Sequence, residues 1–562
     1  MHPPLLDTRN FRPLRLACNM VTYAHHFFLK DRNRALAEAL TDGDAGVRGL
    51  IDALHAAQVE LEPHLPLAGI QEVWKARESF LGRAGIKTLV PGEEGVAEVG
   101  LIETALDLQL LETVVSKFPT EVAGSAPNAE VVRLACQCVW LSEVLALVVI
   151  GVASVSKTGD GSWAVQPATE AHRVHLRRLA FGSAFERSSL NAASAAVQIL
   201  ADVASDPAKR SQLTDARMSA LTVFPQHWRL PAHFGPAEQL LFEWLEPLLL
   251  MMIYCIAASQ RAGAPPFGPR EAAAKQITEV YEFVRGVQAS MPFIDRLFEV
   301  TSRGLVLGTR DLAPAAIEMA ERIAAHRLGA DWHGNATSDT QKTYLLDRIK
   351  SCEHVEVLEF ELRQHHTTRN VGLDVDFFVR DTEHGQIYGV QLKHLQRQAT
   401  GGLLAWLAQF RENDDSLGNL VRQLENLTDV ARTDGKARAH LFAHGLSPTE
   451  CDQIIPVGVH NVGFVDFWEV QNGVLLYDLH TFANILTDRP GVAVGMAYGR
   501  VVNESIDKTG APRPSLHSPD SVIASCLRRP SLQHLRSFDL VSRLRRQSSV
   551  AGTLIVADGL GV

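Results

Sequence analysis

The sequence predicts a multidomain chain: an all-α region over residues 1–330, an α/β domain over residues 338–486, and a C-terminal extension over residues 487–562. Three observations carry that expectation. The length of 562 residues exceeds the roughly 250–300 at which a single core stops growing. Through the first 330 positions, segments rich in Ala, Leu, Glu and Arg carry apolar residues three and four apart. Beyond residue 338 the apolar period shortens to two in "LDVDFFV" and "IYGVQLKHL".

The helical region includes "RNRALAEAL", "GVRGLIDALHAAQVELE", "VVRLACQCVWLSEVLALVV", "AAKQITEVYEFVRGVQA" and "AAIEMAERIAAHR". Pro-rich breakers at 224–236 and 262–270 separate some of them. The helical period is lost in "RLGADWHGNATSDT", where Ser338 or Asp339 is a candidate N-cap for the next helix. Little chemistry shows here. The adjacent His25 and His26 face different ways on a helix, and "KTGDGSW" lacks the spacing of a phosphate-binding loop.

Composition narrows the classes. A hydrophobic content of 46% argues for folded structure, and a net charge of -10 gives no global signature of a nucleic-acid binder. A basic surface must therefore be local. The clearest basic cluster is "CLRRPSLQHLRSFDLVSRLRRQSS", with Arg528, Arg529, Arg536, Arg543, Arg545 and Arg546. Phosphate contact and a solvated amphipathic helix are both open readings of it.

The 7 cysteines are scattered without paired CxxC spacing, which fits reduced thiols in a cytoplasmic protein. No secretory leader pattern opens the chain. The apolar runs at 144–153 and 248–258 are shorter than the roughly twenty residues a span needs, so both are expected to be buried helices and no membrane partner is expected.

The most informative stretch is "NVGLDVDFFVRDTEHGQIYGVQLKHL", residues 370–395. Alternation in the first half puts Leu373, Val375, Phe377 and Val379 on one strand face and Asp374 and Asp376 on the other. Gly385 marks a turn, and in the next strand Gln391 and Lys393 share a face. Paired as a hairpin, the strands bring two carboxylates, an amide and an ammonium to one sheet edge. That is a candidate site for a hard cation beside a lysine able to orient water or stabilise phosphate charge. A solvated polar face on a half-buried hairpin is the bland reading. His394 faces away from Lys393 and is expected to pack; His365 and His366 fall near the cleft or on an exposed loop.

These residues resemble the core of the PD-(D/E)xK nucleases, and "QLK" resembles the Q-x-K variant of the Mrr-type restriction endonucleases. The flanking order is similar too: "TYLLDRIKSC" as a helix, "VEVLEFELRQ" as a first strand, "SLGNLVRQLENLTDV" as the following helix, "ARAHLFAHGLSPTE" as the next strand and exit loop, "GVLLYDLHTFANIL" as the closing strand and helix. The resemblance covers roughly a quarter of the chain. It implies a restriction-endonuclease-like domain with a mixed central sheet. It also implies Asp376 as metal-binding aspartate, Gln391 at the position usually held by an acid, and Lys393 as catalytic lysine. Asp374 stands where some relatives carry a further acid, and Asp347 lies on the helix that often contributes a glutamate. The implied metal ligands are Asp374, Asp376 and Gln391, with Mg2+ as cofactor and Mn2+ as a substitute.

The implied activity is metal-dependent endonucleolytic hydrolysis of DNA, in defence against foreign DNA. Arg528, Arg529, Arg543, Arg545 and Arg546 are candidate nucleic-acid contacts. A homodimer would let one site per chain cut both strands. The alternative is a nuclease-like domain without catalysis, binding nucleic acid or protein beside a helical scaffold.

Overall fold

The computed structural model describes residues 45–61, 129–149, 151–179, 181–182, 270–273, 285–286, 298–300, 304–307, 341–343, 345–364, 372–395, 416–461, 465–488, 493–497, 500–504, 512–528, 545–550 and 553–560. In chain order the first elements are α1 (Ala45–Leu61), α2 (Ala129–Val149), β1 (Ala153–Lys157) and β2 (Trp163–Pro167). Strands β3 (Arg270–Ala273), β4 (Phe298–Val300) and β5 (Gly304–Leu307) follow, then β6 (Val355–Leu358), β7 (Leu362–Arg363), β8 (Asp374–Val375), β9 (Phe377–Asp381) and β10 (Gln386–Lys393). Next come α3 (Leu417–Leu424), α4 (Leu427–Thr433), α5 (Gly435–Ala443), α6 (Pro448–Asp452), β11 (Ile455–His460), β12 (Trp468–Glu469), β13 (Leu475–Asp478) and α7 (Leu479–Leu486). The last elements are β14 (Ala493–Ala497), β15 (Arg500–Glu504), α8 (Pro519–Arg528), β16 (Arg545–Val550) and β17 (Thr553–Asp558).

The main sheet is mixed and six-stranded, in the order β12-β13-β11-β10-β9-β6. β9 and β10 are antiparallel, whereas β10, β11 and β13 run parallel. The central strands "IYGVQL" and "IPVGVH" are apolar and buried nearly throughout, as strands covered on both faces must be. One face packs Phe377, Val379, Tyr388, Val390, Val457 and Val459 against α7, Leu345, Ile349 and α8. The other packs Phe378 and Ile387 against Leu417, Leu420, Val421, Leu424 and Leu427. Two glycines set that second layer. A Cβ on Gly458 would overlap Leu420 of α3, and one on Gly389 would overlap Leu427 of α4, so both helices sit directly on the backbone of the sheet.

The structure corrects several expectations. The region expected to be all-α contains strands, among them β1 and β2, an antiparallel hairpin. "ASVSK" and "WAVQP" alternate, and Asp160 closes the turn by accepting from the Ser162 amide at 3.0 Å. β2 then pairs in parallel with β17 from the far end of the chain. Residues 170–179 are helical and reach the main sheet too: Arg178 pairs with Glu469 at 3.1 Å and Asp520 at 2.7 Å, and Phe181 meets Phe467 edge-on at 5.3 Å. Part of the extension packs on the main sheet, since Leu516, Val522, Ile523 and Cys526 complete one core face.

Within the α/β region, "ARAHLFAHGLSPTE" is helical, not a strand and loop. Asp434 caps α5 by accepting from Lys436 and Ala437, and Ser447 with Glu450 forms a capping box on α6. "VEVLEFELRQ" is two strands, β6 and β7, and "SLGNLVRQLENLTDV" two helices, α3 and α4. In the tail, 545–550 is the strand β16, so no single amphipathic helix spans the arginines. The closing strand and helix fall as expected at β13 and α7.

"RNRALAEAL", "AAIEMAERIAAHR", the run at 248–258, His25, His26, His365, His366, Arg529, Arg536 and Arg543 lie outside the described residues. Of the run at 144–153, Val144, Leu145, Ala146 and Leu147 in α2 and Val152 and Ala153 at the start of β1 are buried. Among the described residues, no helix is long and apolar enough to cross a membrane, and Cys138, Cys352, Cys451 and Cys526 form no disulfide.

Candidate active site

The expected hairpin forms. Phe377 pairs with Val390 and Asp381 with Gln386, and Gly385 takes the left-handed conformation (φ 62°) in the turn between them. The first half, however, is not one strand. It breaks at Asp376: Asp374 and Val375 leave the main sheet to pair with Arg363 and Leu362 of β7. Leu373 and Val375 consequently pack in the cluster of Phe378, while Phe377 and Val379 join the opposite one. The four apolar residues expected on one face are thus divided between two.

The break places Asp376 against β10. Its amide donates to the Val390 carbonyl at 2.9 Å, and its carboxylate accepts from the Leu392 amide at 2.8 Å. Gln391 lies between these two partners. Burial pushes the Asp376 carboxyl up to about 6, aided by Asp374 and Glu361 and opposed by the Leu392 amide and Lys342. A carboxyl raised by burial near a lysine such as Lys342 marks a candidate functional site.

Gln391 is only 6% exposed, and its Oε1 is buried with no hydrogen-bond donor. Such an oxygen costs about 1–3 kcal/mol unless something supplies the missing contact. Lys393, half-buried, ends β10 beside His460 of β11 in parallel register. His460 is fully buried, and burial pushes it down to about 3, so it is neutral. Asn461 fixes the chain just after the lysine, accepting from the Leu395 amide and donating to its carbonyl, each at 2.8 Å. His394 packs as expected, buried against the Gln341 side chain at 2.6 Å.

Asp374 has partners of its own. Its two oxygens accept from Arg363 Nε at 3.1 Å and Gln423 Nε2 at 3.2 Å. Gln423 reaches it because Ser416 caps α3 and Gly458 lets Leu420 of that helix settle on the sheet. Glu361 joins this flank, paired with Arg363 at 3.2 Å and Lys342 at 3.5 Å. No sequence period marks Glu361, Arg363, Lys342 or Gln423 as members of this flank. Their convergence depends on the break at Asp376, which alternation does not announce. Asp347 is exposed on its helix and is not brought to the site.

A divalent ion of the magnesium type asks for oxygen donors, few of them charged. Asp376 and Gln391 fit: one half-buried carboxylate at the break between β8 and β9, and one buried amide oxygen without a donor on β10. Among the described residues, another group offers metal-ligand atoms close together, Asp381, Glu383 and His384. There a cation is already in place. Arg513, itself buried, pairs with Asp381 and, at 2.8 Å, with Glu383. Burial alone would raise Asp381; the bonds from Arg513 and His384 outweigh it and hold the carboxyl below its ordinary value.

Of the candidate nucleic-acid contacts, Arg528 is exposed at the end of α8, and Arg545 and Arg546 start the edge strand β16. Arg529 and Arg543 lie outside the described residues. No protein-family model matches the chain, and no curated protein or solved structure matches it significantly.

Proposed function

We propose that the region around β6–β11 and β13 is a nuclease domain of the restriction-endonuclease-like type that hydrolyses DNA phosphodiester bonds with a divalent ion, Mg2+ or Mn2+. One observation carries the reading: a half-buried Asp376 bonded to both neighbours of Gln391, two positions before Lys393 on a paired strand. The order of elements supports it, a helix over 345–350, then β6, β9 and β10, then α3 and β11.

Asp376 and Gln391 would hold the ion, which when bound supplies Lewis-acid polarisation of the phosphate. Lys393 holds the attacking water or stabilises the charge growing on the phosphate oxygens. The neighbouring His460, neutral through burial, adds no charge to compete with it. Cutting both strands of a duplex with one site per chain calls for a homodimer. A role in defence against foreign DNA rests on the resemblance to Mrr-type enzymes.

A second reading, a domain that binds nucleic acid or protein without cleaving, is favoured by the neutral amide at 391. Supercoiled plasmid incubated with Mg2+ or Mn2+ separates the two. The nuclease reading expects nicking or linearisation by the wild type and none by Asp376→Ala or Lys393→Ala. No cleavage with either metal, on plain and methylated plasmid alike, would move the function to the binding reading.

A further inference from the structure

Arg363 spans two carboxylates beside the candidate metal position. Its Nε bonds one oxygen of Asp374 at 3.1 Å, and a terminal nitrogen meets one oxygen of Glu361 at 3.2 Å. The remaining oxygens are also engaged: Gln423 Nε2 is 3.2 Å from the second oxygen of Asp374, and Lys342 Nζ is 3.5 Å from the second oxygen of Glu361. All four oxygens on this flank therefore face a donor or a cation from the chain itself. Two negative charges meet two positive ones, and the flank is balanced without an ion.

The centre differs. The Gln391 amide oxygen is buried with no donor, and the Asp376 carboxylate has the Leu392 amide on one oxygen. Oxygen donors in need of a cation lie here, not on the flank. A guanidinium is planar and permanently charged, and its fork can take two carboxylates at once, as a bridging metal ion would.

We infer that the site takes a single divalent ion, at Asp376 and Gln391, and that Arg363 is a built-in cation filling the place where Asp374 and Glu361 would otherwise hold a second. The inference rests on the nuclease reading. Asp374, expected from the sequence to be a metal ligand, becomes instead a carboxylate that seats Arg363. The same device recurs at the hairpin turn, where Arg513 fills the group of Asp381, Glu383 and His384.

The test is the number of Mn2+ ions bound by the full-length protein, counted by electron paramagnetic resonance and by calorimetry. Wild type should bind one, and Asp376→Ala none. Arg363→Met should bind two, or show at least a tenfold gain in affinity for a second ion, while Arg363→Lys should remain at one. Arg363 is half exposed, so the substitution leaves the core intact, and a thermal melt checks this. Two ions of similar affinity in the wild type, or one in Arg363→Met with no second, would overturn the single-ion inference and leave the nuclease reading standing. No Mn2+ bound by the wild type at millimolar concentration would overturn both.

Discussion

The amide of Leu392 donates to the half-buried carboxylate of Asp376 at 2.8 Å, tying the broken strand to the strand that carries Gln391 and Lys393. That bond is the geometric centre of the candidate site. Burial raises this carboxyl, and the bond from Leu392 opposes the rise.

Asp376 therefore weakens the metal-free fold at neutral pH. Its carboxyl titrates at about 6 in the folded chain against an ordinary 3.8. The folded state thus binds this proton more tightly than the unfolded state does. The resulting stabilisation is complete below the unfolded value and is lost as pH rises through the folded one. That difference corresponds to roughly 3 kcal/mol. Asp376→Asn should be more stable than wild type in urea at pH 8, by up to about 3 kcal/mol, and by less than about 1 kcal/mol at pH 4. Equal stability at pH 8 would contradict the assignment of a raised, destabilising acid.

Arg513 should act in the opposite sense. It is buried against Asp381, and removing one partner of a buried pair strands the other charge at a cost of about 3–5 kcal/mol. Arg513→Met should destabilise strongly, and adding Asp381→Asn should recover part of the loss. Because Asp381 is held below its ordinary value, its contribution is present above about pH 4 and fades as pH falls through the folded value. Denaturation of the single and double variants measures the coupling; strict additivity would refute it.

Gly458→Ala should press on Leu420 and lift α3, which carries Gln423. Overpacking of this kind costs roughly 1–3 kcal/mol. Leu420→Ala in the same chain should relieve much of the added strain, giving a double variant more stable than the sum of its parts. A silent Gly458→Ala would show that the helix has slack.

A chain truncated after Leu486 should not fold as a compact domain. It lacks Leu516, Val522 and Ile523, which cover the sheet face of Tyr388 and Val390, and the Leu516 carbonyl that accepts from the Tyr477 hydroxyl at 2.6 Å. Circular dichroism and gel filtration of the truncated chain would test this. A soluble, cooperatively melting monomer would show that the sheet does not need residues 487–562.

The hairpin was legible in the sequence because alternation and a turn glycine are local signals, and so was the pairing of a lysine strand with an acidic one. Val375 and Phe377 show where that legibility ends. They are two apart, yet pack on opposite sides because β8 leaves the sheet to pair with β7. The same departure brings Arg363 to Asp374, a tertiary consequence with no sequence period of its own. Other misses had signals at hand. "SPTE" carries the Ser and Glu of a capping box, and "ASVSKTGDGSWAVQP" alternates around a glycine turn inside a stretch taken as helical. The pairing of β2 with β17, nearly four hundred positions apart, follows from nothing local.

The central claim is that Lys393 serves a reaction and not a docking surface. Cleavage and affinity measured on one duplex, with Mg2+ for cleavage and Ca2+ for binding, test it most directly. Lys393→Ala should lose about 100-fold or more in cleavage rate while its dissociation constant stays within about threefold of the wild type's. A wild type that binds the duplex without cutting it, or a Lys393→Ala variant that cuts as fast, would contradict the account.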